Sequence, residues 1–285
     1  MPLTPTGDLV RSAAEEGVGV GAFNVVQIEH AEAIVAGAEA AGRPVVLQLS
    51  ENTVRYHGAL EPLGRATLAI AAASAAPAAV HLDHAESPEL ARAAVGLGFT
   101  SVMFDAARLP YAANVAATRE ITEHCHTRNV WVEAELGEIG GKDGAHAPGV
   151  RTDPGEAGAF VRATGVDALA VAVGSSHAML TRDAVLDFAL IARLGRVVPV
   201  PLVLHGSSGV PDDDLRRAVA TGMRKVNIST HLNKTFTRAV RAHLTEHPAV
   251  ADPRRYLGPA RDAVAAEVAR LLAVLADTAR VPAAS

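Results

Sequence analysis

The 285-residue chain is poor in aromatic residues, which make up 4% of it, and it holds a single cysteine. Scarce rings mean that a core must be built from Ala, Val, Leu and Ile. Hydrophobic residues still reach 49%, and a chain of this length buries a large core without staples. The lone Cys125 excludes a disulfide framework within the chain and suits a reducing cytosol. Positive charge is not in excess: the net charge of −5 offers no basic face to nucleic acid. The apolar runs are too short to span a bilayer. The start, Met1-Pro2-Leu3-Thr4-Pro5, lacks the charged and apolar regions of a signal peptide. These absences predict a cytoplasmic protein with no membrane or nucleic-acid partner. No low-complexity linker divides the chain, so residues 1–285 read as a single domain. No Gly-x-Gly-x-x-Gly follows the first apolar run, which argues against a dinucleotide-binding open sheet.

What is present is an alternation of short apolar runs with helical patterns. The runs predict eight strands, over Val18–Val25, Val45–Ser50, Ala78–His84, Thr100–Asp105, Val130–Leu136, Ala168–Val173, Leu202–His205 and Lys225–Ser229. Between them, helices are predicted at Gln27–Ala41, Pro88–Leu97, Tyr111–Arg128, Pro154–Thr164, Asp183–Leu194 and Asp212–Thr221. Two more follow at Leu232–His247 and Arg261–Ala279, joined by residues 248–259. Start signals such as Ser87-Pro88 and Asp153-Pro154, and glycines after Ala41, Leu97, Thr164 and Thr221, mark the helix ends. Continuous apolar strands imply a sheet covered on both faces, hence parallel. Eight βα units in roughly 250 residues match a closed (β/α)8 TIM barrel, here with extra C-terminal helices. The segment Gly137–Arg151 holds five glycines and no apolar pattern, as expected of a lid.

His84, Asp105, Glu135, His177, His205 and Asn227 fall at or just past the ends of strands three to eight in order. In a barrel these ends share one face, where active sites lie. Each of the twelve histidines alone is expected to face solvent, but six successive polar strand ends are not explained that way. Three imidazoles, from His84, His177 and His205, with an open position make a typical catalytic zinc site. Asp83 adjoins the first of them and stands ready to move a proton. Asp105 and Glu135 are candidates for orienting imidazole N–H groups or for a second metal position, with a capping role as the alternative for Asp105. His81, three residues before His84, is expected to face differently. His124 and His126 suit a helix C-terminus, and Cys125 suits packing. The glycine-serine loop from His205 to Pro211, with Asn227-Ile228-Ser229-Thr230 after the next strand, forms a candidate phosphate cradle.

With these residues in place, the chain resembles the class II, metal-dependent ketose-bisphosphate aldolases along nearly its whole length. The matching stretches include Gly21-Ala22-Phe23-Asn24, His81-Leu82-Asp83-His84, Glu133-Ala134-Glu135-Leu136-Gly137, Gly174-Ser175-Ser176-His177, Leu204-His205-Gly206-Ser207-Ser208-Gly209 and Lys225-Val226-Asn227-Ile228. The resemblance implies reversible aldol cleavage of a phosphorylated ketose, of the fructose or tagatose 1,6-bisphosphate type, giving dihydroxyacetone phosphate. It implies Zn2+ on His84, His177 and His205, with Asp83 as proton donor and acceptor and Asp105 and Glu135 at a second metal position. Gly206, Ser207, Ser208, Asn227, Ser229, Thr230 and Ala178 match the phosphate side of the substrate, and Asn24 and Ser50 match polar neighbours of it. Arg254, in Asp252-Pro253-Arg254, matches the arginine that reaches the distal phosphate in a neighbouring subunit, which implies a homodimer or homotetramer. A monovalent cation, Na+ or K+, is also implied.

Four departures bear on the substrate. Ala178 stands for a usual glycine, Ser207 for another, and Ser229 for an expected carboxylate. The loop Gly140-Gly141-Lys142-Asp143-Gly144 is one residue short and lacks the family's glutamate, for which Asp143 and Glu138 are candidate substitutes. A phosphorylated deoxy-ketogluconate is therefore an alternative substrate. Metal-dependent hydrolysis and a non-catalytic barrel with a residual metal site are the alternative classes.

Overall fold

The structure, a computed structural model, describes residues 3–136, 150–177 and 179–278. Eight parallel strands close into a barrel in sequence order: β1 (Val20–Asn24), β2 (Val45–Ser50), β3 (Ala78–Ala85), β4 (Ser101–Phe104), β5 (Trp131–Leu136), β6 (Ala168–Val171), β7 (Leu202–Leu204) and β8 (Met223–Ile228). β8 closes on β1 with Ala22 opposite Asn227. The predicted (β/α)8 barrel with extra C-terminal helices is the observed fold.

The helices lie outside the barrel. α2 (Ile28–Ala41), α5 (Pro88–Leu97), α6 (Tyr111–His126), α7 (Pro154–Thr164) and α9 (Asp212–Thr221) stand close to their predicted positions. Ser87 and Asp153 cap their helices by accepting from the amides of Leu90 and Glu156. Gly42, Gly98 and Gly165 end theirs in the left-handed conformation. The sequence reading missed α1 (Thr6–Glu16), α3 (Glu51–His57) and α4 (Glu61–Ala73).

Three boundaries require correction. α8 runs over Phe188–Val197, not from Asp183, because the Asp187 carboxylate accepts from Leu190 N at 2.8 Å and starts the helix there. β6 ends at Val171, so His177 lies in the following loop and not at a strand end. α10 (Thr230–Glu246) is followed after seven residues by α11 (Arg254–Ala276), which passes through Pro259. The second half of the expected joint over 248–259 is thus helix. The one hydrogen bond that Pro259 cannot donate is offset by burial of Ala260, Val264, Val268, Leu271 and Leu275 on the inner face of α11.

Side chains alternate along each strand, and the interior-facing set is mixed. Val20, Ala22, Val46 and Ala79 form an apolar plug with Leu9 and Ala13 of α1. Met103, Ala168, Ala170, Ala172 and Val203 form a second small cluster. Fully buried polar residues also line the interior: His81, Ser101, Glu133, His205 and Lys225. The Thr6 hydroxyl of α1 lies 2.7 Å from that of Ser101, which in turn meets His81 Nδ1 at 2.8 Å.

Candidate metal centre and active site

Consecutive strand residues point to opposite faces, yet Asp83 and His84 both line one pocket. The backbone explains this. His84 takes a left-handed conformation with φ 50°, and the β3–β4 register shifts between Leu82 and Ala85. A bulge of this kind re-aims a side chain. It turns His84 inward beside an Asp83 that is already there.

The rings of His84, His177 and His205 meet edge to face, with centroids 4.8, 5.1 and 5.8 Å apart. His84 Nδ1 meets Asp105 Oδ2 at 2.8 Å, and His205 Nε2 meets Glu133 Oε1 at 2.7 Å. Carboxylates only accept, so these two nitrogens carry the protons. That leaves His84 Nε2 and His205 Nδ1 facing each other at 3.0 Å, a spacing that demands positive charge between them. Burial alone would lower the pKa of His84. Asp83, the hydrogen bond to Asp105 and the charge of Glu135 outweigh it and push the value up to about 9. Burial and then the neighbouring His84 hold His205 well below the ordinary histidine range. A proton or a cation completes this pair, so the donor set fits a metal. His84, His177 and His205 form one candidate ligand group, and His84, Asp105 and Glu135 form a second. Asp105 also accepts from Ala107 N at 3.2 Å, tying down its own loop rather than capping a helix.

Asp83 is held on both oxygens. Asn24 Nδ2 donates to Oδ2 at 3.3 Å and Asn227 Nδ2 to Oδ1 at 3.4 Å. Gln48, unremarked in the sequence, donates to Asn24 Oδ1 at 2.7 Å and thereby orients that amide. On the other side Lys225 Nζ donates to Asn227 Oδ1 at 2.9 Å and to Glu133 Oε2 at 2.8 Å. His81 is fully buried beneath these groups, 3.9 Å from Glu133, so the expectation that it faces differently from His84 fails: the bulge turns His84 into the interior that His81 already faces. Glu133, Lys225 and Gln48 were legible only through alternation: they precede Glu135, Asn227 and Ser50 by two and so share their faces.

The pocket is a cleft of about 150 Å³ lined by Asn24, Gln48, Ser50, Asp83, the three histidines and, at one end, Gly206, Ser208, Asn227, Ser229 and Thr230. Gly206 has φ 66°, and a Cβ there would sit 2.6 Å from the Ser176 carbonyl oxygen, so only glycine permits this approach of two loops. Ser208 Oγ accepts from the amides of Ser229 and His231, fixing the start of α10 against the preceding loop. Ser50 caps α3 from the pocket rim by accepting from Thr53 N at 3.2 Å. Ser207 is not brought to the pocket: its hydroxyl donates to the Leu204 carbonyl. Arg254 is also outside the lining. Its side chain is 89% exposed and bound to Asp252. Ala178, Glu138, Lys142 and Asp143 lie outside the described residues.

Comparison with known proteins agrees with this geometry. Residues 4–280 match the family model described as fructose-bisphosphate aldolase class-II. The chain belongs to the class II fructose-bisphosphate aldolase family. It is 39% identical over 272 residues to a fructose-bisphosphate aldolase of Geobacillus stearothermophilus, covering 94% of this chain and 95% of that one. It is 39% identical over 284 residues to one from Thermus caldophilus, covering 90% and 92%. Among solved structures, the YdjI aldolase of Escherichia coli K12 superposes with a TM-score of 0.86 at 28% identity, over 99% of this chain and 100% of that one. Class II aldolases are metal-dependent carbon–carbon lyases acting on sugar phosphates, and this aldolase is one of them. Among the described residues, no helix is long and apolar enough to cross a membrane.

Proposed function

We propose that this class II aldolase holds Zn2+ on His84, His177 and His205 and cleaves a ketose 1,6-bisphosphate of the fructose or tagatose type. The observation that carries the reading is the facing pair of imidazole nitrogens at 3.0 Å, with Asp83 on the adjacent residue. Bound Zn2+ supplies Lewis-acid chemistry, withdrawing charge from the oxygens beside the breaking bond. The chain does the rest. Asp83, aligned by two amides, takes the hydroxyl proton whose departure lets the carbon–carbon bond break, and returns it in the reverse direction. Asn24 and Ser50 orient the sugar hydroxyls. Gly206, Ser208, Asn227, Ser229 and Thr230 cradle the near phosphate at the start of α10, where amides and helix dipole favour an anion. Asp105 and Glu135 offer a second metal position behind His84, and Na+ or K+ sits near the phosphate. We read residues 1–285 as one cytoplasmic domain that assembles as a homodimer or homotetramer.

The test is a coupled assay on fructose and tagatose 1,6-bisphosphates before and after chelation. Chelator should abolish cleavage and added Zn2+ should restore it. Undiminished turnover in excess chelator would remove the metal from the mechanism.

A further inference from the structure

Beneath the pocket lies a buried ion pair that the chemistry above does not use. Lys225 Nζ and Glu133 are both fully buried, 2.8 Å apart, on β8 and β5 across the barrel. Each partner has a second contact, and together the two reach both the metal ligand and the proton carrier. Glu133 Oε1 accepts from His205 Nε2 at 2.7 Å, and Lys225 Nζ donates to Asn227 Oδ1 at 2.9 Å. Asn227 Nδ2 then lies 3.4 Å from Asp83 Oδ1 and 3.0 Å from His205 Nε2.

We propose that Lys225 is a positioning residue that locks the metal ligand His205, through Glu133, and the proton carrier Asp83, through Asn227, into one rigid unit. The claim rests on the zinc reading above. An ammonium can only donate, so it forces the Asn227 amide to present its oxygen to Lys225 and its NH2 to Asp83. With that donor absent, the amide is free to flip and to set its oxygen against the carboxylate. The same ammonium balances Glu133, which lets a carboxylate stay in the barrel interior and fix the tautomer of His205, with Nε2 protonated and Nδ1 left for the metal. Burying two charges is costly, and apolar residues of similar volume in place of such a pair often fold as well. A pair kept at full burial, with both ends joined to reacting groups, points to the site and not to stability.

The double variant Glu133→Leu/Lys225→Met removes both charges and both second contacts. Apo protein is titrated with zinc against a chromophoric chelator, and cleavage is compared with proton exchange on dihydroxyacetone phosphate. The expected result is a cooperatively folded protein whose zinc affinity falls on the order of 10- to 100-fold. With zinc saturating, cleavage should fall further than exchange, because Asp83 serves only cleavage. Zinc affinity within threefold of wild type, or an unchanged ratio of cleavage to exchange, overturns the proposal whatever happens to stability. Should the apolar pair prevent folding, Glu133→Gln/Lys225→Met carries the same comparison with the shape preserved. A wild-type protein that binds no zinc overturns the metal reading instead, so the two failures are distinct.

Discussion

Asp83 shows how a carboxylate is made to act on one substrate atom. It is 4% exposed, and both its oxygens are occupied by side-chain amides, from Asn24 on β1 and Asn227 on the adjoining β8. Asp83→Ala should fold and retain its metal, since no described ligand depends on it for a hydrogen bond. Cleavage should fall by roughly 100- to 10,000-fold, the range for loss of a general acid–base group. Exchange of the donor's carbon-bound proton should survive better, and isotope exchange measured beside cleavage checks this. Equal loss of both would assign Asp83 a structural role. At this scale the sequence was informative wherever a polar residue closed an apolar run, as with His84, His205 and Asn227. It was silent where the polar residue lay inside the run. Glu133, Lys225 and His81 occupy strand positions that face the barrel axis, and a strand-end rule cannot see them. A motif position does not fix a rotamer either: the Ser207 hydroxyl turns back to the Leu204 carbonyl, which leaves its backbone amide as the group that could meet a phosphate.

Among the elements, the strands were legible to within a few residues because continuous Val, Leu and Ala runs need two apolar faces. The bulge in β3 was not legible. It depends on a non-glycine residue at positive φ, for which composition gives no signal. α3 and α4 escaped because their buried positions are few and carry little apolar pattern: Thr53 in α3, and Leu63, Gly64, Thr67 and Ala71 in α4. The packing of α2 on α10 contains a further element-scale feature. His30 of α2 stacks on Phe236 of α10 with centroids 4.8 Å apart, and neither ring nitrogen has a hydrogen-bond partner. Burial lowers its pKa to about 4, with Glu29 opposing the shift only weakly. Because the folded pKa lies below the unfolded value of 6.5, the unfolded chain binds more protons between pH 6.5 and 4. Stability is therefore full above pH 6.5 and falls through that window, by roughly 3 kcal/mol from this one group. His30→Leu should lose less stability than wild type between pH 7 and pH 4.5 in urea unfolding, whatever its stability at pH 7. Parallel losses in the two proteins would show that His30 is not the group responsible.

For the whole molecule, the decisive fact is what the pocket lacks. Among the described residues no lysine or arginine lines it. The amides and hydroxyls at the start of α10 can hold one phosphate, but a bisphosphate brings a second dianion to the other end. A second phosphate then needs a cation from elsewhere, and the proposed homo-oligomer would draw it from Arg254 of a neighbouring subunit. It projects from the first turn of α11 with 89% exposure, and among the described residues its partner is Asp252, two residues away. Such an exposed pair is weakly held because solvent screens it, so a phosphate that accepts two parallel N–H bonds can displace the carboxylate. Arg254→Ala should then raise the Michaelis constant for a ketose bisphosphate by about tenfold or more, the loss of one charge-assisted contact. Binding of dihydroxyacetone phosphate, which has no far phosphate, should change little. Turnover should fall as well if the remote phosphate helps to align the scissile bond. The same reading requires a dimer or larger assembly in sedimentation at assay concentration, because the arginine must cross to another subunit's pocket. A monomer with full activity, or bisphosphate kinetics untouched by the substitution, would reduce Arg254 to a capped turn and move the search for the second phosphate's cation to residues 137–149, where Lys142 lies.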